Sequence, residues 1–562
     1  MVLRTTLIGA AIAGCAALAL AQEPPPAPTP APSDIQSPEA RAEAVAAIVG
    51  PDAIPLTLAE VLNRVVEGNL GIRIRRLDPE QAEQDVIFAR AEFDPAAFAS
   101  VNRSKEELEP ANSLSASATQ FDQYVAGVRT LFPWGGNADL RLQTNRSDIT
   151  QPFQVFNPGY GSGISLAFTQ PLLRGFGKDS NALNIEIARG NLEISQADFE
   201  RSVMTTIRNA TGAYWNLKAA INALMVAQSS LGLANDLLRL NKAKVEVGTL
   251  APIEVTQAEA GVASREEALL VAEEEIRRSE DALRKLMNVE KGSDLWTHPL
   301  NPVDDPQSDP VSLELEQEVT TALEKRPEIR SQEESVRILG LTADADRDGL
   351  LPQLDLVGNY GFSGTSGRRR FVKIDTNGDG AVDCDTSDPN CVGVPIDSDG
   401  DGVDDVNFVP EDAGDAWDEV WNGQFPAWSA GLTFSIPLGN RAARARAARS
   451  RIGYEQGQLG MEDLRQTIEI EVRDAVRSVE TNIKRVQAAR VNADLQARKV
   501  SDEQKRYEYG LSTSFQVLTF QNDLTDARNA LIRALLDYNR SLVALSEATG
   551  VLLEEKGIKV TS

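Results

Sequence analysis

Two long helical stretches free of proline each end in a glycine tip, and nothing else constrains this chain as tightly. Residues 181–247 carry Val203, Ala210, Leu217, Leu224, Leu231 and Leu238 seven apart. Ile207, Tyr214 and Ile221 form a second seam that turns polar at Gln228 and Asn235. About 67 residues at 1.5 Å rise span on the order of 100 Å. No small globular domain is that long, so such a helix needs partner helices along its length. The tip at Gly248 launches a return helix, Ile253 to Asn288, its natural antiparallel neighbour. The design recurs: Val472, Val479, Val486 and Ala493 lie seven apart, then Gly510 opens GLSTSFQVLTFQNDLTDARNALIRALLDYNRSLVALSEATGVLL, running to Leu553.

The recurrence is a duplication of the whole unit. Ile72-Arg73 returns as Ile329-Arg330 and Pro95 as Pro352, at a spacing of 257. Phe168-Thr169 with Pro171-Leu172 returns as Phe434-Ser435 with Pro437-Leu438 at 266, and Gly248 with Val255 as Gly510 with Val517 at 262. Each copy reads as a leading helix, a strand region, a long helix, a tight tip and a return helix. The first copy covers 55–290 and the second 312–553; a Pro/Asp-rich linker, 291–311, joins them, and 554–562 form a tail. The leading helix of copy one runs from about Thr57 to Phe93 and stops at Asp94-Pro95.

Between leading and long helices the period changes to two. Phe98–Arg103, Gln123–Phe132, Ala138–Arg146 and Gly163–Thr169 alternate residue by residue, which means strands with two unlike faces. Pro133-Trp134-Gly135-Gly136-Asn137 reads as a turn. Phe132, Trp134, Phe153, Phe156, Tyr160 and Phe168 gather near strand ends, as an interfacial girdle places them, although a soluble β domain would take them equally well. The fold class is α+β: two repeats of long antiparallel helical hairpins plus strands.

Composition removes several functions. With 56 Lys+Arg against 83 Asp+Glu, the net charge of −27 argues against nucleic acid as a partner. The one histidine, His298, sits in the linker, so histidine catalysis and multi-histidine metal sites are excluded and no enzyme is expected. Residues 1–21 read as a secretion signal, with Arg4, an apolar Leu7–Leu20 and an Ala19-Leu20-Ala21 cleavage site. Ile12-Ala13-Gly14-Cys15 offers the alternative of a lipoprotein box. Residues 22–54 begin as a Pro/Ala-rich linker.

One large insertion, 364–426, interrupts the second strand region. It holds Asp375, Asn377, Asp379 and Asp383, then Asp397, Asp399, Asp401 and Asp405, with Gly380 and Gly402 at the sixth place of each loop. Oxygen ligands at that spacing suit Ca²⁺, and the loops resemble thrombospondin type 3 or dockerin-like repeats. Neither has glutamate at the twelfth place, where Thr386 and Phe408 stand. Cys384 and Cys391 lie between the loops and could form a disulfide in an oxidising compartment. Asp344-Ala345-Asp346-Arg347-Asp348-Gly349 imitates a calcium loop but continues into Pro352, and reads as a helix terminus.

Along nearly its whole mature length the chain resembles the TolC-like outer membrane efflux proteins. The resemblance is carried by Pro55-Leu56-Thr57-Leu58-Ala59-Glu60 with Asn69, by Phe168-Thr169-Gln170-Pro171-Leu172-Leu173, by Trp428 to Arg441, and by Gly510 to Leu553. It implies a homotrimer whose strands close one β-barrel in outer membrane lipid and whose helices form a periplasmic α-barrel. It further implies a periplasmic adaptor (membrane fusion protein) and an inner-membrane transporter as partners. The tips that would meet the adaptor are Val247, Gly248 and Thr249, with Tyr509, Gly510, Leu511 and Ser512. Tyr507 and Glu254 match the family's gate positions; Ser512, Gln516 and Thr519 do not, standing where the family has an arginine and two acids. Four strands in copy one would widen the barrel beyond the family's usual twelve, unless the extra pair is an extracellular hairpin.

The expected function is a passive exit duct for efflux or type I secretion, in the cell outer membrane and extending into the periplasm. The alternative is a calcium-dependent surface or adhesion protein whose helices are a stalk.

Overall fold

The computed structural model describes residue 50, residues 52–107, residue 109 and residues 118–149, 156–369 and 412–559. The secretion signal, the Pro/Ala linker, both acidic loops, Cys384 and Cys391 lie outside them.

The duplication is plain in the element lengths. Copy one opens with strand β1 (Ile54–Leu56) and helices α1 (Leu58–Gly68) and α2 (Leu70–Ala91), of 11 and 22 residues. Four strands follow: β2 (Ala96–Glu107), β3 (Ala118–Leu131), β4 (Asn137–Ile149) and β5 (Phe156–Pro171). Then come the long helix α3 (Leu183–Glu246) and its return α4 (Ile253–Met287). Strand β6 (Leu300–Pro302) leads to copy two: α5 (Leu315–Lys325) and α6 (Pro327–Asp348), again of 11 and 22 residues, then β7 (Gln353–Arg369). A short helix α7 (Ala413–Trp421) precedes β8 (Phe425–Ser435), the long helix α8 (Arg441–Glu508) and its return α9 (Ser514–Ala548).

Each leading helix is in fact two. Asn69 is extended (φ −62°, ψ 122°), ends α1 and caps α2, its side chain accepting from Ile72 N–H at 3.1 Å. A local side-chain acceptor that replaces the helical bond explains the break, and helical periodicity alone does not show it. Arg326 is extended in the same way (φ −66°, ψ 129°) before Pro327 in copy two, without a side-chain cap. Asp348 ends α6, where its carboxylate accepts from Gly175 N–H and Ser180 Oγ; this acidic run is a helix terminus, as expected.

Six strands form one antiparallel sheet in the order β2-β3-β4-β5-β7-β8. Beneath it α2, α3, α6 and α8 pack side by side; further down the order is α4, α3, α9, α8. The buried seam of α8 keeps its seven-residue step from Val472 through Val479, Val486, Ala493 and Val500 to Tyr507. In α3 the step holds at Val203, Ala210, Leu217 and Leu224, then shifts to Ser230, Ala234, Leu237 and Asn241, leaving Leu231 and Leu238 half-buried. A straight helix drifts against a heptad in this way. Helix α3 is long and apolar enough to cross a membrane, yet Ile207, Tyr214, Leu217 and Ile221 are wholly covered by neighbouring helices.

The linker between copies is clamped at the waist. β1 and β6 pair in parallel, and Tyr214 Oη donates to Asp304 at 2.7 Å. Glu280 accepts from Leu300 N–H at 2.8 Å, while Arg284 reaches the carbonyls of Leu295 and His298. Burial pushes the Glu280 carboxyl above its ordinary range, against the opposing pull of the Leu300 N–H and Arg284.

The far end of the sheet carries α7. Trp417 Nε1 donates to Thr144 Oγ1 at 2.9 Å, Glu419 accepts from Thr365 N–H at 2.8 Å, and Ala416 and Val420 are buried. Only a glycine permits this approach: a Cβ on Gly364 would lie 2.0 Å from the Ala416 carbonyl oxygen.

Two outcomes are expected. Gly364→Ala displaces α7, so tryptophan emission shifts to the red and acrylamide quenching rises; Gly358→Ala on the same strand, where a Cβ meets nothing, changes neither. For Glu280, the folded state binds the proton more tightly than the unfolded chain. Its contribution is therefore complete below the ordinary glutamate pKa of about 4.3 and is lost as pH rises through the raised value. As pH rises from about 4 through that raised value, the thermal midpoint of Glu280→Gln should fall less than that of the parent.

Candidate functional site: a two-faced sheet above paired hairpin tips

Residues opposite one another in an antiparallel ladder share a face. One row across all six strands is Ala97, Val128, Leu140, Leu166, Tyr360 and Trp428. The next row on that face is Ala99, Ala126, Leu142, Ile164, Phe362 and Pro426. Toward the helices the face continues through Phe168, Leu356, Leu432 and Phe434. Many of these apolar side chains are exposed, Trp428 at 76 % and Leu432 at 65 %. The reverse face carries Arg129, Asp139, Ala167, Asn359 and Ser429 in one row, and Gln143, Gly163 and Ser363 in another that ends at Val125 and Phe425. A sheet apolar on one side and polar on the other, with no water-excluding layer on the apolar side, is built for lipid outside and water inside.

The apolar band ends where α7 lies. Beyond it on the same face stand Arg103, Asp122, Arg146, Tyr160 and Ser366, with Asp122 paired to both arginines at 3.3 Å. Trp417 and Trp421 stack at 5.8 Å on α7, and Trp421 is exposed. At the opposite rim Trp134 stacks on Phe132 at 4.6 Å. Aromatics therefore stand at both edges of the band. Of the sequence-derived girdle, Trp134 and Phe168 lie toward the helical end and Tyr160 toward the far end; Phe153 falls outside the described residues. Trp417 and Trp421, the tryptophans nearest the far edge, come from the insertion, where alternation gives no signal.

The hairpin tips are copies of one turn. Gly248 and Gly510 both have φ 78°, the left-handed conformation that glycine adopts freely. Thr249 N–H bonds Lys244 O at 2.9 Å, and Leu511 N–H bonds Arg506 O at 2.8 Å. Around them apolar side chains face solvent: Val247 is 72 % exposed, Tyr509 81 % and Leu511 69 %.

Just above, the two hairpins are tied together. Tyr507 Oη donates to Asn241 Oδ1 at 2.6 Å, and Lys244 Nζ lies 3.9 Å from the Tyr507 ring centre while donating to its carbonyl at 2.7 Å. Glu254 accepts from Ser514 Oγ, and Glu503 from Ser512 Oγ. Burial, and then the charge of Glu254, push the Tyr507 hydroxyl above its ordinary pKa, so it stays a donor. Tyr507 and Glu254 are thus brought to one cluster. Asn241, Lys244, Glu503 and Ser514 complete it and were not singled out from the sequence. Asn241 is wholly buried because the α3 seam shifts by then, which a strict heptad count misses. Higher up, Arg265 repeats the tie, donating to Ser230 Oγ at 3.0 Å and Asn522 Oδ1 at 2.8 Å. Among the described residues no cluster could hold a metal ion.

A membrane-facing sheet with a watered reverse side, set on a long helical conduit, defines a channel of the bacterial outer membrane. The chain belongs to the outer membrane efflux protein family, whose sequence profile matches residues 61–289 and 411–551, one stretch in each repeat. It is an outer membrane efflux channel that extends into the periplasm, in a family of channels and not of enzymes. Solved structures share the fold. The CmeC outer membrane channel of Campylobacter jejuni has 16% identity and a TM-score of 0.59, covering 88% of this chain and 86% of its own. VceC of Vibrio cholerae has 14% identity and a TM-score of 0.59, with 88% and 96% covered. A Pseudomonas aeruginosa membrane protein has 17% identity and a TM-score of 0.60, with 90% and 93% covered. No curated protein matches the chain by sequence.

Removing the Tyr507 hydroxyl forfeits a buried hydrogen bond of about 1–1.5 kcal/mol. Tyr507→Phe is expected to raise amide hydrogen exchange in residues 241–250 and 505–515 by roughly tenfold, with exchange at the waist unchanged.

Proposed function

We propose that three copies of this chain close one passive exit duct. The sheets form a barrel in outer membrane lipid, and the hairpins form a tunnel whose tips dock on a periplasmic adaptor fed by an inner-membrane transporter. The observation that carries this reading is a sheet with two unlike faces and two open edges. Open edges cannot persist in lipid, where every backbone donor and acceptor needs a partner, and neighbouring copies supply those partners. The exposed apolar tips at Val247, Tyr509 and Leu511 supply the surface an adaptor would cover.

The same reading makes the Asn241–Tyr507, Lys244–Tyr507 and Glu254–Ser514 contacts the closure of the tunnel end, since each joins one hairpin of the chain to the other. Ser512, which stands where the family resemblance implies an arginine, engages Glu503 within its own hairpin and takes no part in these contacts.

The calcium reading rests on sequence alone. β7 and α7 bracket residues 370–411 at the end of the sheet away from the helices, which in this assembly faces the external medium. Weak oxygen sites fill there at extracellular calcium levels.

Two tests follow. A deletion strain carrying Val247→Asp with Leu511→Asp should make normal outer-membrane trimers yet accumulate dyes and antibiotics as the deletion does; full rescue would show that the tips do not dock. Calorimetric titration of the full chain with Ca²⁺ should show saturable binding of about 0.1–1 mM affinity that Asp379→Asn with Asp401→Asn abolishes; equal heats from the variant would sink the calcium reading.

A further inference from the structure

The number of strands per copy bears on the width of the exit. β2, β3, β4 and β5 are paired along their lengths without interruption, from Ala96↔Arg129 to Glu107↔Ala118, from Thr119↔Ile149 to Leu131↔Asn137, and from Asn137↔Thr169 to Ser147↔Gly159. The apolar rows cross β3 and β4 as they cross the other four. The β3–β4 turn is fastened at the helical rim: Gly177 N–H donates to Trp134 O at 3.2 Å, and a Cβ on Gly135 would strike Gly175 O at 2.3 Å. An extracellular hairpin would place this turn at the opposite end. The extra pair therefore belongs to the membrane wall.

We infer that the barrel wall is built from six strands of every copy, so that three copies close eighteen strands and the outer-membrane exit is as wide as the helical tunnel below it. The inference rests on the trimeric duct reading for its copy number, but the match of widths holds within one copy. Six strands about 4.8 Å apart and tilted 35–45° occupy an arc of roughly 35–41 Å. The four helices beneath them, α2, α3, α6 and α8, at about 8–10 Å between axes, occupy roughly 32–40 Å. Four strands would occupy only about 25 Å, and the wall would have to narrow sharply above the helices. Direction agrees as well. β2 leaves α2 and runs away from the helices, whereas β8 runs back into α8, so β8 of one copy meets β2 of the next antiparallel. Both strands are edges of the sheet, and every residue of β8 is exposed in the single copy.

Eighteen strands give about 36 Å between opposite strand axes, and roughly 25 Å of clear bore after one side-chain layer on each wall. On β5, β7 and β8 the polar face carries small residues, among them Gly161, Gly163, Ser165, Gly361, Ser363 and Ala427. The exit thus sets no tighter size limit than the tunnel, which fits polypeptides or other bulky cargo.

Electron cryomicroscopy of the full chain extracted from outer membranes counts copies and strands separately. Three copies with six wall strands each, and β8 hydrogen-bonded to β2 of the neighbour, is the expected result. Three copies with four wall strands each, β3 and β4 standing outside the ring, overturns the inference and leaves the trimer intact. A ring of another copy number overturns the trimer reading; six wall strands per copy in that ring would still uphold the matched widths.

Discussion

Everything in this molecule depends on keeping a helix of 64 residues and another of 68 covered along their length. An isolated helix gains little from its own hydrogen bonds in water, so its stability must come from side chains buried against neighbours. The chain meets this demand twice over. Near the sheet the leading helices α2 and α6 lie beside α3 and α8; below the waist the return helices α4 and α9 take their place. Four helices abreast persist from the rim of the sheet to the tips, and the conduit is a consequence of that continuity.

The waist is where the helical neighbours change, and it is also where polar groups are buried. Tyr214, Asp304, Glu280 and Arg284 form hydrogen bonds there that apolar packing could not replace, because the linker's backbone donors and acceptors need partners once covered. The raised carboxyl of Glu280 is the cost of that arrangement. At the tips the balance is reversed. The turns expose apolar side chains and the hairpins are tied by a few hydroxyl, amide and ammonium contacts, which are cheaper to break than a packed seam.

The sheet solves a different problem with the same economy. Alternation of small polar and larger apolar residues lets one layer of strands separate lipid from water, and an even number of strands per copy lets identical copies close without a parallel seam. Helix α7 ends the apolar band on the outer side, where Gly364 makes room for its backbone.

Much of this was legible in the residues themselves. Periodicities of seven and two, the spacings of 257, 262 and 266 and the two tip glycines determined the long hairpins, the strands and the duplication, and the family resemblance singled out Tyr507 and Glu254. These are local signals: a period reports which face is buried, and a glycine at a helix end reports a left-handed turn. Three matters were decided only by tertiary structure. Asn69 splits the leading helix through a side-chain bond that periodicity does not register. Asn241, Lys244 and Ser514 join Tyr507 and Glu254 only because two hairpins about 260 residues apart in sequence are packed side by side. β3 and β4 lie in the one six-stranded sheet, with the turn between them fastened to the loop leading into α3. Contacts between residues distant in the chain leave no periodic trace, and it is packing geometry that selects them.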